Sequence, residues 1–199
     1  VIMTNSILIK NSTILNPNVN DCERYIASVL IKDDLIAEIG DNISEDNVDK
    51  VIDGEGKILM PGLINTHTHL SMTLFRGFAD DYSLDTWLND YIFPIEAHLN
   101  EYFCYIGALL GSVELIKSGT NTFSDMYFFM EDVAKAFDEA VIRGILSYGM
   151  IDFGIEEKRN EEITKFLELY KNCNDAADGR IQVFLGPHSP YIASKELLV

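Results

Sequence analysis

The sequence predicts an α/β protein that contains about the first four β/α units of a TIM-type (β/α)₈ barrel, preceded by a small β-sandwich-like domain. Short runs rich in Ile, Leu and Val, separated by turn-forming clusters, fill residues 1–60. From residue 61 onward, strand-like and helical segments alternate, which is typical of βαβ units on a parallel sheet. We therefore expect two domains, an incomplete one over residues 1–60 and a half-barrel over residues 61–199.

The N-terminal region is predicted to form a small antiparallel β unit. Its β-type runs cover residues 6–15, 25–32, 35–39, 50–52 and 57–60. Asp33 and Asp34 stand between two alternating runs and predict a hairpin turn.

The second region carries four predicted strands. These strands cover residues 62–66, 120–124, 144–151 and 180–186. The predicted helices cover residues 84–99, 101–117, 130–142 and 157–172, and Ser194 is a predicted N-cap for a further helix. Because a closed barrel needs eight strands and typically about 250 residues, these segments amount to half of one.

The amino-acid composition limits the kinds of molecule that the protein is expected to bind. The 199 residues carry a formal net charge of −17, which opposes binding to nucleic acids and to anionic membranes. Cys22, Cys104 and Cys173 form no CxxC pair and no disulfide framework, so we expect buried thiols in a reducing cytosol. These residues contain no signal peptide and no membrane-spanning run, so we expect a cytoplasmic protein whose partner is a small molecule.

Two histidines follow the first strand of the second region. Side chains at i and i+2 of a strand point to the same face, so His67 and His69 should present neighbouring imidazoles. Imidazole is a common ligand of zinc and related metals. From this spacing alone, a metal site and a chance pair with one solvent-facing ring both remain open.

Polar or ionisable residues follow each of the four predicted strands, where barrels carry their functional residues. These strand ends are His67-Thr68-His69, residues 124–127, residues 150–152 and residues 186–191. Two of the four ends contain histidine, which packing alone does not explain.

Several segments carry a resemblance to a known family. PGLINTHTHLSMTLFRG, DTWLNDYIFPIEAHL, SGTNTFSDMY and GPHSPY, in that order, resemble the amidohydrolase superfamily. The similarity is greatest to 5-methylthioadenosine/S-adenosylhomocysteine deaminases and their chlorohydrolase-like relatives, and it extends over essentially all 199 residues.

The resemblance implies one metal ion per subunit, zinc or else iron or another divalent metal, with His67 and His69 as two of its ligands. In this family a third histidine, an aspartate and a proton-shuttling glutamate come from later strands. We therefore expect no catalytic acid or base before Val199.

The resemblance also implies three substrate-binding residues. Glu96 would accept hydrogen bonds from the ribose 2′- and 3′-hydroxyls, and His188 would hydrogen-bond the purine ring. Arg159 would bind the amino-acid carboxylate of S-adenosylhomocysteine. The alternatives are a solvated glutamate, a structural histidine and an ordinary surface arginine.

One position departs from the family pattern. Tyr148 stands where relatives often have a second arginine, which makes methylthioadenosine or adenosine at least as plausible a substrate as S-adenosylhomocysteine.

The implied reaction is hydrolytic deamination of such an adenosine derivative at purine C6, giving the inosine analogue and ammonia. One alternative is an aminohydrolase or chlorohydrolase for another heterocycle, such as guanine, cytosine or a triazine. Another is a catalytically silent relative that serves as a scaffold. The oligomeric state stays open, and a homo-oligomer is one option.

Overall fold

Residues 5–16 and 23–199 are described by a computed structural model, and the chain divides into two units, Val1–Pro61 and Gly62–Val199. Cys104 and Cys173 are buried and free, as expected, whereas Cys22 lies outside the described residues. Within the described ranges, no helix combines the length and the apolar character that crossing a bilayer requires.

The first unit forms one sheet from β1 (Ser6–Asn16), β2 (Glu23–Lys32), β3 (Leu35–Gly40), β4 (Lys50–Asp53) and β5 (Ile58–Leu59). The strand order is β3-β2-β1-β4, and β5 also pairs with β1. Lys32 pairs with Leu35 across the predicted hairpin, and Asp33 takes the left-handed conformation of the turn, with φ 55°.

The prediction of a small antiparallel unit is correct for three strands and wrong for the other two. The β1–β2 and β2–β3 pairs are antiparallel, but β4 and β5 pair parallel with β1. Residues 41–49 carry the chain from one edge of the sheet to the other, and a parallel neighbour requires a connection of this kind. The assignment of residues 1–60 to a β-sandwich-like domain stays a prediction.

The second unit contains four strands in one sheet, and every neighbouring pair is parallel. The strands are β6 (Leu63–Thr68), β7 (Thr120–Tyr127), β8 (Arg143–Met150) and β9 (Ile181–Pro187), in chain order. Three long helices lie between them in sequence, α3 (Glu101–Lys117), α4 (Met130–Glu139) and α5 (Glu156–Cys173). This alternation is the predicted one. It is that of a (β/α)₈ half-barrel, although barrel closure stays a prediction.

Helical turns fill much of the remaining sequence. They are a 3₁₀ helix (Leu70–Phe75), α1 (Leu84–Thr86), a π-helix (Trp87–Ile92), α2 (Phe93–Glu96), α6 (Ala176–Gly179) and α7 (Lys195–Leu198). The helix predicted over residues 84–99 is confirmed from Leu84 to Glu96, but its middle part is a π-helix and it ends three residues earlier than predicted. Pro94 lacks the amide that would continue the regular hydrogen-bond pattern.

The core of the second unit lies between one face of the sheet and its helices. Phe123 of β7 and Phe137 of α4 meet edge to face, with ring centroids 4.5 Å apart. Leu146 and Val133 are completely buried beside them. Val183 of β9 pairs with Leu146 and faces this core. Because side chains alternate along a strand, the next residue, Phe184, lies on the opposite face of the sheet, where it is 56% exposed.

Candidate active site

The carboxyl ends of the four parallel strands lie along one edge of the sheet, and most of the predicted site residues are found there. His67 is the second-last residue of β6, and His69 is the first residue after this strand. Tyr127 ends β7, Asp152 follows β8 and His188 follows β9. In a parallel α/β sheet this edge is where functional side chains converge.

The two imidazoles of the HTH segment are neighbours, as predicted from their spacing. The ring centroids of His67 and His69 lie 5.0 Å apart, and the ring planes are inclined by 79°. The pairing of β6 with β7 shifts register between Asn65 and Thr68, and such irregularities are common next to active sites because they re-aim side chains. The Asn65 side chain accepts a hydrogen bond from the His67 amide at 3.1 Å, which steadies this irregular backbone.

One hydrogen bond fixes the tautomer of the neutral His69 ring. Its Nδ1 lies 2.6 Å from the carbonyl oxygen of Met126. A carbonyl oxygen only accepts, so Nδ1 carries the proton and Nε2 of the neutral ring keeps its lone pair. Metal-bound histidines in proteins usually have this arrangement, with the distal nitrogen held by a carbonyl or carboxylate.

The two histidines therefore fit a divalent metal, but they fit only part of its site. A catalytic zinc usually has three protein ligands and one open position. Over residues 5–16 and 23–199, no group of three or more His, Cys, Asp or Glu side chains is arranged to hold a metal ion. His67 and His69 thus remain predicted as two ligands of a larger set.

Asp125 binds the residues on both sides of His69, and the sequence did not single it out. This side chain is completely buried in β7, and its Oδ1 accepts hydrogen bonds from the Thr68 hydroxyl and the Leu70 amide, each at 2.8 Å. Burial raises the pKa of Asp125 to about 6, although these hydrogen bonds and the nearby His69 act in the opposite direction. In the sequence, its position at a predicted strand end was the one feature that could have indicated a functional role.

Glu96 connects α2 to the strand ends. Its partly buried Oε1 accepts a hydrogen bond from the Tyr127 hydroxyl at 2.6 Å. Burial raises the pKa of Glu96, while this hydrogen bond and the positive charge that His69 and His188 can carry lower it. Glu96 and His69, two of the residues predicted for the site, thus share Tyr127 as a neighbour, and the charge that His188 can carry also acts on Glu96.

His188 presents an exposed side chain at the end of β9. Its backbone amide donates to the carbonyl oxygen of Met150 at 3.1 Å, which ties the start of the following loop to β8. The ring lies beside Gly149, where an added Cβ would stand 3.8 Å from the His188 Cδ2. The backbone is therefore anchored while the imidazole stays available to a ligand.

Arg159 has a partner within the chain. Its Nε donates to Oδ2 of Asp152 at 3.0 Å, and Asp152 has no exposed surface. Asp152 also accepts hydrogen bonds from the Ser194 hydroxyl, the Ser194 amide and the Gly154 amide. Burial acts to raise the pKa of Asp152, but these donors outweigh it and hold the pKa well below its usual range.

This cluster links the loops after β8 and β9. The Ser194 side chain also accepts from the Leu197 amide and so caps α7, as predicted. The role of Arg159 in binding a substrate carboxylate stays a prediction, and the observed ion pair gives this residue a structural task. The sequence analysis gave Asp152 no role. Its position at a predicted strand end was again the feature that could have indicated one.

Tyr148 faces the helices, away from the histidines. Its hydroxyl lies 3.3 Å from both the Glu162 Oε1 and the Lys165 Nζ of α5. The Tyr148 side chain is thus held by α5, and its bearing on the choice of substrate stays a prediction.

Two known proteins match nearly the whole chain. The chain is 67% identical over 194 residues to a 5′-deoxyadenosine deaminase of Methanobrevibacter smithii, covering 98% of this chain and 44% of that protein. It is 46% identical over 194 residues to a 5-methylthioadenosine/S-adenosylhomocysteine deaminase of Thermococcus sibiricus, covering 97% of this chain and 45% of that protein.

A solved structure shares the fold. An adenosine deaminase from Xanthomonas campestris with bound zinc superimposes with a TM-score of 0.85 at 26% sequence identity, covering 97% of this chain and 45% of that chain. The chain thus spans less than half the length of the relatives it matches. Residues 58–199, well over half of the sequence, match the model of the amidohydrolase family. The chain belongs to the amidohydrolase family.

Proposed function

We propose that the complete protein carrying this chain is a metal-dependent deaminase of adenosine nucleosides modified at the 5′ position. In this reaction water adds at purine C6 and the 6-amino group leaves as ammonia, which yields the inosine analogue. The observation that supports this most is that Tyr127 contacts both Glu96 and His69: its hydroxyl donates to the Glu96 Oε1 at 2.6 Å, and its ring centroid lies 6.1 Å from that of His69. Relatives named as deaminases of 5′-deoxyadenosine and of methylthioadenosine or S-adenosylhomocysteine support the substrate class.

Glu96 is proposed to recognise the ribose. An ionised carboxylate only accepts hydrogen bonds, and its two oxygens suit the two neighbouring hydroxyls of a ribose diol. Each carboxylate oxygen has two lone pairs, so the Glu96 Oε1 can accept from Tyr127 and from one sugar hydroxyl while Oε2 accepts from the other. A free base or a triazine has no diol, so this carboxylate favours a nucleoside over the other heterocycles.

His188 is proposed to orient the purine. Its exposed imidazole can donate to or accept from a ring nitrogen, and its backbone bond to Met150 fixes where the side chain begins.

His67 and His69 are proposed to hold the metal, for which zinc is the first choice. When bound, zinc supplies a water molecule whose pKa falls to about 7, and hence a nucleophile at neutral pH. The chain's own part is to keep the proton of His69 on Nδ1, against the Met126 carbonyl oxygen, so that Nε2 is free to bind.

The experiment is a direct assay of the complete, zinc-loaded protein. 5′-Deoxyadenosine, methylthioadenosine, S-adenosylhomocysteine and adenosine are each incubated with it, while the ultraviolet absorbance of the purine and the release of ammonia are followed. We expect conversion of at least the 5′-modified nucleosides, with one ammonia per inosine analogue formed. Unchanged absorbance with all four compounds would refute the proposal.

A further inference from the structure

The hydroxyl of Tyr127 lies at the junction of three elements of the site. It donates to Oε1 of Glu96 at 2.6 Å and so joins the end of β7 to α2. The Tyr127 side chain is 7% exposed, and its ring centroid lies 6.1 Å from that of His69. The carboxylate proposed to bind ribose and a histidine proposed to bind metal thus share one neighbour.

Burial keeps the Tyr127 hydroxyl protonated, so that it acts as the donor in this contact. Burial raises the pKa of Tyr127 well above its ordinary value, and the hydrogen bond to Glu96 acts in the same direction. The phenol therefore stays protonated and donates to the carboxylate, as a buried tyrosine hydroxyl that requires a partner should. A hydrogen bond to an ionised acceptor is about twice as strong as a neutral one.

The contact restricts how Glu96 can present its oxygens. A glutamate side chain has three rotatable bonds, and its carboxylate turns freely unless something holds it. With Oε1 held by a residue of the sheet, Oε2 has a defined position. Groups fixed in this way before a ligand arrives reduce the ordering cost of binding.

We infer that Tyr127 is a positioning residue for ribose recognition, acting through Glu96. This inference rests on the proposed function, because it needs a nucleoside substrate whose diol Glu96 accepts. Tyr127 itself does not contact the sugar in this scheme; it fixes the carboxylate that does.

The Tyr127→Phe variant removes the hydroxyl and keeps the ring in the core. Tyr105→Phe is the matched control, because Tyr105 of α3 donates to a carboxylate, that of Glu139, which is exposed to solvent. Both variants are prepared in the complete, zinc-loaded protein. Each is assayed with adenosine and with 2′-deoxyadenosine, which lacks one hydroxyl of the diol.

Tyr127→Phe should raise KM for adenosine about tenfold to hundredfold, the range expected for a lost hydrogen bond to a charged group, with a much smaller change in kcat. Its effect on 2′-deoxyadenosine should be smaller, so the preference for ribose should fall. In a Glu96→Gln background, Tyr127→Phe should have little further effect on that preference. Tyr105→Phe should leave both constants unchanged.

Equal losses on the two nucleosides, or a loss confined to kcat, would show that Tyr127 is only a packing residue and would overturn the inference. An active wild-type enzyme with this result would leave the proposed function intact. A wild-type enzyme that deaminates neither nucleoside nor any 5′-modified adenosine would refute the proposed function, and the inference with it.

Discussion

The Nδ1 atom of His69 lies 2.6 Å from the carbonyl oxygen of Met126, so a backbone group of β7 determines which nitrogen of this ring can bind a metal. Because the carbonyl accepts the Nδ1 proton, the Nε2 lone pair remains for a ligand. The sheet thus prepares one half of the histidine pair before any metal arrives. The strand that supplies this carbonyl also supplies Asp125 and Tyr127, which support His69 and Glu96.

Replacement of His67 or His69 by Ala should reduce the metal content of the complete protein. Each variant lacks one imidazole of the pair, and a site short of one ligand binds zinc much more weakly. Zinc measured by mass spectrometry after dialysis should fall to about a tenth of the wild-type stoichiometry or less. His98→Ala is the control, since His98 is exposed and follows α2. Full zinc retention by both site variants would exclude this pair as ligands.

Asp125→Ala should weaken both the fold and the metal site. It leaves the buried Leu70 amide without its acceptor, at a cost of about 1–3 kcal/mol, whereas the Thr68 hydroxyl can still donate to the Ser124 carbonyl oxygen at 2.8 Å. Because these groups flank His69, we expect zinc affinity to fall about tenfold, as for other groups that orient a ligand. Asp125→Asn keeps an acceptor oxygen and should lose much less. Competition with a chromogenic chelator measures the zinc affinity of the wild type and of both variants. Identical affinities for these three proteins would contradict the prediction.

Asp152 should make the protein sensitive to acid. Its folded-state pKa lies below the value of about 3.9 expected in the unfolded chain. The carboxylate therefore adds stability above that pH, and this contribution is lost as the pH falls through the folded-state pKa. Asp152→Asn should lower the unfolding temperature by several degrees at pH 7, and the difference should narrow below about pH 4.

Asp138→Asn is the control for this experiment. Asp138 also pairs with an arginine, Arg180, at 2.6 Å, but it is 61% exposed, and exposed ion pairs contribute little. A wild-type advantage over Asp152→Asn that stays constant from pH 7 to pH 3 would show that the Asp152 charge is not responsible.

Arg159→Gln should affect substrates with and without a carboxylate to a similar extent. Its Nε is bound to buried Asp152, so the variant should loosen the link between the loops after β8 and β9. We expect kcat/KM for S-adenosylhomocysteine and for 5′-deoxyadenosine to fall by factors that agree within about threefold, roughly 0.6 kcal/mol. A loss of tenfold or more that is confined to S-adenosylhomocysteine would instead establish Arg159 as the carboxylate ligand.

Local signals allowed much of the fold to be predicted. Helix α3 has the predicted bounds because Asn100 caps its first turn, accepting from the Phe103 amide, and Gly119 takes a left-handed φ of 83° after its end. Strand β7 extends past the predicted residue 124 to Tyr127, because Asp125 and Tyr127, polar as they are, are buried on the helix-facing side.

The supporting residues of the site could not be predicted in the same way. The His67–His69 pair is local in sequence, so strand periodicity was enough to place both rings side by side. The bond from Tyr127 to Glu96 joins residues 31 apart, and that from Leu70 to Asp125 joins residues 55 apart. Contacts of this range depend on how strands and helices pack, which no local pattern in one sequence contains.

The decisive measurement compares 5′-deoxyadenosine with adenine as substrates of the complete, zinc-loaded protein and of its Glu96→Gln variant, with Glu168→Gln, an exposed residue of α5, as the control. We predict that the wild type and Glu168→Gln prefer the nucleoside, and that Glu96→Gln reduces kcat/KM for the nucleoside at least about tenfold while changing turnover of adenine little. A wild type that acts equally well on the free base, or a Glu96→Gln variant that keeps full nucleoside activity, would contradict a nucleoside deaminase that recognises ribose through Glu96.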